Sequence, residues 1–123
     1  SIKDSSGNTS IVFTFIRISA SVNSIKVAYW NESAAYSYLI STIDINNDTW
    51  HRINLKWDTG AGTIALSVDG EADVTSTTLA KTTPRVPRSM RFTPNTTAIA
   101  DYHMQIDNIS VGTGTSYPSA CTN

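Results

Sequence analysis

The sequence has few of the residues on which most catalytic and metal sites depend. It holds one cysteine, two histidines and only two glutamates, Glu32 and Glu71, among 123 residues. Glycosidases need paired carboxylates at a defined spacing, and zinc sites need several His, Cys or acidic ligands. The chain has no such cluster, and no serine lies in a nucleophile elbow. His51 and His103 each fall in a predicted strand, where a histidine is more often a packed or surface residue than a general base. The sequence therefore predicts a protein that is not an enzyme.

Long apolar runs and strong helix formers are also scarce. No stretch approaches the roughly 18 to 20 apolar residues of a membrane-spanning helix, so we expect no membrane insertion. Leu occurs four times, whereas Ser and Thr together contribute 33 residues. This composition disfavours helices and suits strands joined by polar loops. The length is that of one domain with a two-layer core, so the prediction is a single domain over residues 1–123.

The clearest pattern is a hairpin between Trp50 and Glu71. Apolar residues alternate with polar ones in each of its two strands, at His51, Ile53, Leu55 and Trp57 and then at Ile64, Leu66 and Val68. Period-two alternation is typical of a half-buried strand. The intervening residues 59–62 include two glycines, which tolerate positive φ. Asp69 and Gly70 form a pair favoured in type I′ turns, which predicts a second tight reversal.

The same segment, WHRINLKWDTGAGTIALSVDGE, resembles the central hairpin of the laminin G-like and concanavalin A-like jelly rolls. In those domains a Trp-His pair opens one strand and a Val-Asp-Gly ends the next. Residues 102–111, YHMQIDNISV, look like their closing strand. The resemblance implies an all-β, two-sheet antiparallel β-sandwich of the jelly-roll type, with an N-terminal strand either absent or supplied from elsewhere.

Other alternating segments predict seven or eight short strands in total. Apolar residues at both parities of 11–18 indicate a central strand, and a second hairpin follows, with Ile25, Val27 and Tyr29 in one strand and Tyr36, Tyr38 and Ile40 in the other. Met90 and Phe92 mark a later strand. At Asp107 the apolar parity changes to Ile109 and Val111, which predicts a bulge that keeps both facing inward. Residues 1–10 read as a frayed lead-in and 112–123 as a tail.

Positive charge is concentrated in one stretch. No acidic residue lies between Asp73 and Asp101, whereas four cations do: Lys81, Arg85, Arg88 and Arg91. Arg pairs well with carboxylate and sulfate, so these residues are candidates for binding an acidic polysaccharide. The alternative is a solvated loop whose arginines pair with Asp or Glu of a neighbouring strand or subunit. A net charge of −1 and a pI near 6.0 disfavour nucleic acid as a partner.

Aromatic residues provide a second route to glycan binding, because sugar rings stack their CH faces on exposed aromatic planes. The candidates are Trp30, Tyr36, Tyr38 and Trp57. Trp57 shares the parity of the apolar residues in its strand, so we expect it in the core. Trp30 ends a predicted strand, so we expect it to be partly exposed and select it as a ligand-binding residue.

Three further sets of residues could carry a modification or an ion. Asp44, Asn46 and Asp48 alternate in one loop and present oxygen ligands suited to Ca²⁺, which many laminin G-like domains hold, although such residues are also common in turns. Candidate glycosylation sites are Asn8, Asn31, Asn47 and Asn95; a fifth triplet at Asn108 falls inside a predicted strand. Cys121 lacks an internal partner, so it is either a free tail cysteine or a candidate for an interchain disulfide.

Two functions fit these patterns. The first is a non-catalytic, extracellular or surface-displayed recognition module that binds glycans or a protein partner, with no cofactor other than an optional Ca²⁺. The alternative is a structural subunit or decoration domain of a fibre, virion or cell-surface assembly, because exposed strand edges and Cys121 would let copies associate. A fold alone does not choose between them.

Overall fold

The computed structural model describes residues 1–17, 23–45, 49–81, 89–90, 109 and 112–113. Its contacts divide the chain into two compact units, Ser1–Phe92 and Thr93–Asn123. All the strands described below belong to the first unit. Every regular element in this part of the chain is a β-strand, and no helix here is long and apolar enough to cross a membrane. The all-β prediction is therefore confirmed for these residues.

Eight strands form two antiparallel sheets. They are β1 (Ile2–Lys3), β2 (Thr9–Arg17), β3 (Asn23–Trp30), β4 (Tyr36–Ile40), β5 (Ile53–Asp58), β6 (Thr63–Val68), β7 (Val74–Ser76) and β8 (Ser89–Met90). One sheet has the order β4-β3-β2-β1-β8 and the other the order β5-β6-β7. As predicted, β2 is central: it pairs with β1 on one side and with β3 on the other.

Side chains from both sheets meet in one apolar core. The first sheet contributes Ile2, Ile11, Ile25, Val27, Tyr29 and Leu39, and the second contributes Ile64, Leu66 and Val68. Each of these side chains is almost completely buried, so removing this apolar surface from water is the main stabilising contribution. Leu55 and Trp57 are partly exposed and pack against the core. Trp57 therefore faces the core, as its position in the alternating pattern predicts.

The two predicted hairpins form as expected. β5 and β6 pair from Ile53 with Val68 to Asp58 with Thr63. Asp69 and Gly70, with φ of 50° and 81°, both have the positive φ that a type I′ turn requires. The other hairpin joins β3 and β4 through the turn after Trp30.

The register between β3 and β4 decides which face each side chain occupies. Leu39 lies opposite the core residue Val27, whereas Tyr38 lies opposite Ala28. Residues directly opposite in an antiparallel pair point to the same side of the sheet. Leu39 is therefore buried, and Tyr38 and its neighbour at i−2, Tyr36, lie on the outer face.

Two local expectations are wrong. Residues 1–10 are not a frayed lead-in, because Ile2 is buried in β1 and Asp4 is only 4% exposed. The Asp4 carboxylate accepts hydrogen bonds from the backbone N–H groups of Ser6 and Asn8. These contacts fold the polar residues into a tight turn between β1 and β2. Ile109, predicted to face inward from a strand, lies outside regular structure and is 55% exposed. Phe92 and the rest of 102–111 lie outside the described residues.

Candidate functional site

An aromatic surface formed by Trp30, Tyr36 and Tyr38 lies on the outer face of β3 and β4 in the larger sheet. Its rows follow from strand pairing: Trp30 lies opposite Tyr36, Ala28 opposite Tyr38, and Val12 on β2 opposite Ala28 on the other side. Every second residue of a strand points to the same face, so these side chains share the face that the core does not use. We call Val12, Lys26, Ala28, Tyr36 and Tyr38 the outer-face site, because together they line a depression of about 260 Å³.

The shape of the depression comes from a contrast in side-chain size. Ala28 is the smallest lining residue, and it lies between the register positions of Val12 and Tyr38. A methyl group between larger side chains leaves a dip in the sheet surface. Tyr38 is 55% exposed and Tyr36 is 37% exposed, so both rings present surface to solvent beside this dip.

Tyr36 is held in a fixed orientation. Its hydroxyl donates a hydrogen bond to the backbone carbonyl of Thr9 at 2.8 Å. Its ring meets the ring of Trp30 edge to face, with centroids 5.1 Å apart and planes at 81°. This T-shaped geometry is one of the two favoured aromatic arrangements. Trp30, half-buried as predicted, thus supports Tyr36 and does not line the depression itself.

Lys26 places a positive charge in the same surface. Its Nζ lies 4.5 Å from the centroid of the Tyr38 ring, within the range of a cation–π interaction. The two residues are diagonal neighbours on adjacent strands, because Ala28 is opposite Tyr38 and Lys26 is opposite Ile40. Lys26 is a site residue that sequence reasoning missed. An isolated lysine in a strand looks like an ordinary solvated residue until the register is known.

The predicted basic stretch is described only at Lys81. Its Nζ lies 3.6 Å from Oε1 of Glu32, and both side chains are about half exposed. An exposed pair of this kind contributes little stability. Arg85, Arg88 and Arg91 lie outside the described residues.

Asp44, one of the three candidate Ca²⁺ ligands, makes a structural contact. One of its carboxylate oxygens accepts a hydrogen bond from the backbone N–H of Asn23 at 2.9 Å, which ties the loop to the start of β3. Asn46 and Asp48, the other two candidate ligands, lie outside the described residues. Among the residues that are described, no group of three or more His, Cys, Asp or Glu side chains could hold a metal ion.

The candidate glycosylation sites differ in how their amides are used. The Asn31 amide oxygen accepts hydrogen bonds from the N–H groups of Ser33 and Ala35, and its Nδ2 donates to the hydroxyl of Ser37 at 2.8 Å. Asn31 therefore organises the β3–β4 turn. Asn8 is exposed, and its Nδ2 donates to the Asp4 carboxylate. Asn47, Asn95, Asn108 and Cys121 lie outside the described residues.

Two carboxylates outside the outer-face site have lowered pKa values. Partial burial raises the pKa of Asp69, but hydrogen bonds from the His51 side chain and the Arg52 backbone outweigh it and hold that pKa below its ordinary value. Glu71 behaves alike: burial raises its pKa, and hydrogen bonds from Ser41 and Thr42 lower it further than burial raises it. In both cases the donors come from residues next to a strand, with His51 and Arg52 before β5 and Ser41 and Thr42 after β4. These carboxylates therefore have structural roles.

Comparison with known proteins assigns the chain to no family. No protein-family model, curated protein or solved structure matches the chain. The resemblance to laminin G-like and concanavalin A-like domains is thus a prediction from the sequence of 50–71 and 102–111. The outer-face site has to be interpreted from its own chemistry.

Proposed function

We propose that this protein is a non-catalytic recognition module that binds a glycan at the outer-face site. The observation that carries the proposal is the exposure of two tyrosine rings beside a dip floored by Ala28. Sugar rings have apolar CH faces that stack on aromatic planes, while their hydroxyls remain available to polar groups and water. A sheet face with aromatic walls and a small floor suits such a ring.

The size of the depression favours a saccharide over a protein partner. At about 260 Å³ it is slightly smaller than the roughly 300–1,000 Å³ of ordinary small-molecule sites. A stable protein interface, in contrast, buries about 800 Å² on each partner. The five lining residues lie on three neighbouring strands and provide enough surface for one or two sugar rings.

The fixed position of Tyr36 also supports binding. Because its hydroxyl is bonded to Thr9 and its ring rests against Trp30, the ring loses little conformational freedom when a ligand stacks on it. Ordering a flexible side chain costs about 0.5–1.5 kcal/mol, and a preorganised ring avoids most of this cost. Residues 50–71 add their resemblance to lectin-like jelly rolls, which leads us to propose an extracellular or surface-displayed location.

The proposal is tested by affinity electrophoresis in native gels that contain soluble polysaccharides. The wild-type chain is expected to be retarded by at least one polymer. Tyr38→Ala removes the more exposed of the two tyrosine rings at the site and should abolish this retardation, and Ala28→Val should weaken it by filling the dip. Trp50→Ala is the matched control, because Trp50 is an aromatic residue that is 65% exposed and lies before β5 in the other sheet. Equal retardation of Tyr38→Ala and wild type would contradict the proposal.

A second function is supported by the position of β4. Among the described strands, β4 is at the edge of the larger sheet, and it carries Tyr38 and Ile40 as exposed apolar residues. Exposed apolar edges promote pairing between chains. If the protein is a structural subunit of an assembly, light scattering should show oligomers that Ile40→Lys disperses. A monomer at all concentrations would exclude this function.

A further inference from the structure

We infer that the glycan bound at the outer-face site is acidic, and that its carboxylate or sulfate group pairs with the ammonium of Lys26. This inference rests on the proposed function and specifies its ligand class. Lys26 and Tyr36 line the same depression. A sugar ring stacked on the aromatic wall can therefore direct an acidic substituent to Lys26 without leaving the site.

The charges around the depression are complementary to an anion. Of the five described residues that line it, only Lys26 is charged. In register, Lys26 lies between Thr14 on β2 and Ile40 on β4, and neither residue type carries charge. Glu32, the acid closest in sequence to this face, lies in the β3–β4 turn, where Lys81 approaches its carboxylate at 3.6 Å. The site therefore presents a cation without an adjacent carboxylate among its lining residues.

The geometry of Lys26 favours an acidic ligand over a neutral one. With its Nζ 4.5 Å from the Tyr38 ring, the ammonium occupies one face of that ring. Any sugar ring that stacks on this face must displace the ammonium and lose the cation–π contact. An acidic sugar offsets this loss, because its substituent forms an ion pair with Lys26, whereas a neutral sugar provides no such pair. Charge-assisted hydrogen bonds of this kind are stronger than neutral ones.

The experiment compares polymers that share a backbone but differ in charge. Binding of the full chain is measured by affinity electrophoresis on polygalacturonate against its methyl ester, and on dextran sulfate against dextran. We expect at least tenfold tighter binding to one acidic polymer than to its neutral counterpart. Retention on polygalacturonate alone identifies a carboxylate ligand, and retention on dextran sulfate alone identifies a sulfate ligand.

The variants separate Lys26 from other sources of positive charge. Lys26→Met keeps the length of the side chain and should weaken acidic binding about five- to tenfold, whereas Lys26→Arg should retain it. Lys56→Met is the control: it changes the net charge equally, but Lys56 lies on β5 and pairs with Asp73 at 2.8 Å. Equal losses in Lys26→Met and Lys56→Met would overturn the inference, as would a loss only on replacing Arg85, Arg88 and Arg91.

The failure of this inference is distinguishable from failure of the proposed function. If Tyr38→Ala abolishes binding while acidic and neutral polymers bind equally, the site binds glycans but Lys26 does not select acidic ones. If acidic polymers bind and Tyr38→Ala has no effect, the outer-face site is not the binding site and both proposals are wrong. If neither acidic polymer retards the chain, the inference is likewise overturned.

Discussion

Nδ1 of His51 lies 2.7 Å from Oδ2 of Asp69, across the open end of the β5–β6 hairpin. The other carboxylate oxygen of Asp69 accepts a hydrogen bond from the backbone N–H of Arg52 at 2.8 Å. Asp69 is also the first central residue of the type I′ turn, with φ of 50°. The Asp69 side chain therefore joins the start of β5 to the turn that follows β6. The chain leaving this turn forms β7, which pairs with β6.

Asp69→Asn tests this contact. Asn tolerates positive φ and suits a type I′ turn, so the substitution removes the charge and preserves the backbone. We expect a loss of about 1 kcal/mol in unfolding free energy at pH 7. Because the folded pKa of Asp69 is lowered, its contribution is present above its ordinary value of 3.8 and is lost as pH falls through the folded pKa. Urea denaturation at pH 7 and pH 2.5 should show the difference between the proteins shrinking at the lower pH.

A double-mutant cycle tests whether His51 is the partner through which Asp69 stabilises the fold. His51→Gln and the double variant with Asp69→Asn should give a coupling energy of about 0.5–1 kcal/mol at pH 7. Strictly additive effects would mean that the imidazole contributes nothing through Asp69.

The Glu71 carboxylate links the two sheets. It accepts hydrogen bonds from the hydroxyls of Ser41 and Thr42, which follow β4 in one sheet, and from the backbone N–H of Val68, at the end of β6 in the other. Glu71→Gln keeps the shape but replaces an acceptor oxygen with a donor, so we expect a loss of about 1–3 kcal/mol at pH 7. Because the folded pKa of Glu71 is lowered, this stability is fully present above its ordinary value of 4.5 and is lost as pH falls through the lower folded pKa.

Glu32→Gln is the control for this prediction. Glu32 is half exposed and has Lys81 at 3.6 Å, so its replacement should cost less than about 0.5 kcal/mol. The measurement is the midpoint of urea denaturation for both variants across pH 3 to 7. Equal losses for the two variants, or a loss in Glu71→Gln that persists unchanged at pH 3, would contradict the assigned role.

The sequence predicts the hairpins because their determinants are local. The alternation in 53–58 and 63–68 and the Asp69-Gly70 pair need no information from elsewhere in the chain. The contacts of Glu71 could not be predicted, because Ser41 is 30 residues away and only the packing of two sheets brings them together. The buried turn at Asp4 was missed for a related reason: its polar residues look unstructured until β1 pairs with β2.

Of the ligand-binding residues selected from the sequence, those that the structure describes do not line the depression of the outer-face site. Tyr36 and Tyr38 were aromatic candidates from residue type, but their alternation with Ser37 does not say which face of β4 is buried. The register with β3 decides it, by placing Leu39 opposite Val27. Lys26 was missed because its role depends on a diagonal neighbour on another strand. Pairing register is a long-range property, and a single alternating strand does not encode it.

Gly62 is required at its position for two separate reasons. Its φ is 72°, and a Cβ added there would lie 3.0 Å from the backbone oxygen of Leu79 and 2.5 Å from Cε of Lys81. The lysine can move, but Leu79 cannot, because its N–H donates to the carbonyl of Gly62 at 2.9 Å. We expect Gly62→Ala to reduce the unfolding free energy by about 2–4 kcal/mol.

Gly70→Ala separates the two reasons. Gly70 has a φ of 81°, but a Cβ there would meet no atom within 4 Å. Its replacement should cost only the backbone strain, about 1–2 kcal/mol. In thermal denaturation, the melting temperature of Gly62→Ala should therefore be lower than that of Gly70→Ala. The reverse order would show that the approach of Leu79 imposes no steric limit.

Two buried serines provide the opposite test, because within the described residues only one of them has a hydrogen-bond partner. Ser10 is fully buried at the bulge where β1 and β2 shift register, and within the described part of the chain its hydroxyl has no partner. Ser24 is equally buried, but its hydroxyl donates to the carbonyl of Ser41 at 2.7 Å.

Ser10→Ala removes an uncompensated polar group, so stability should be unchanged or higher by about 1 kcal/mol. Ser24→Ala should cost about 1–3 kcal/mol, because it leaves a buried carbonyl without this donor. Urea denaturation at pH 7 measures both, and a comparable loss in Ser10→Ala would mean that its hydroxyl is bonded in solution, for example to a buried water molecule.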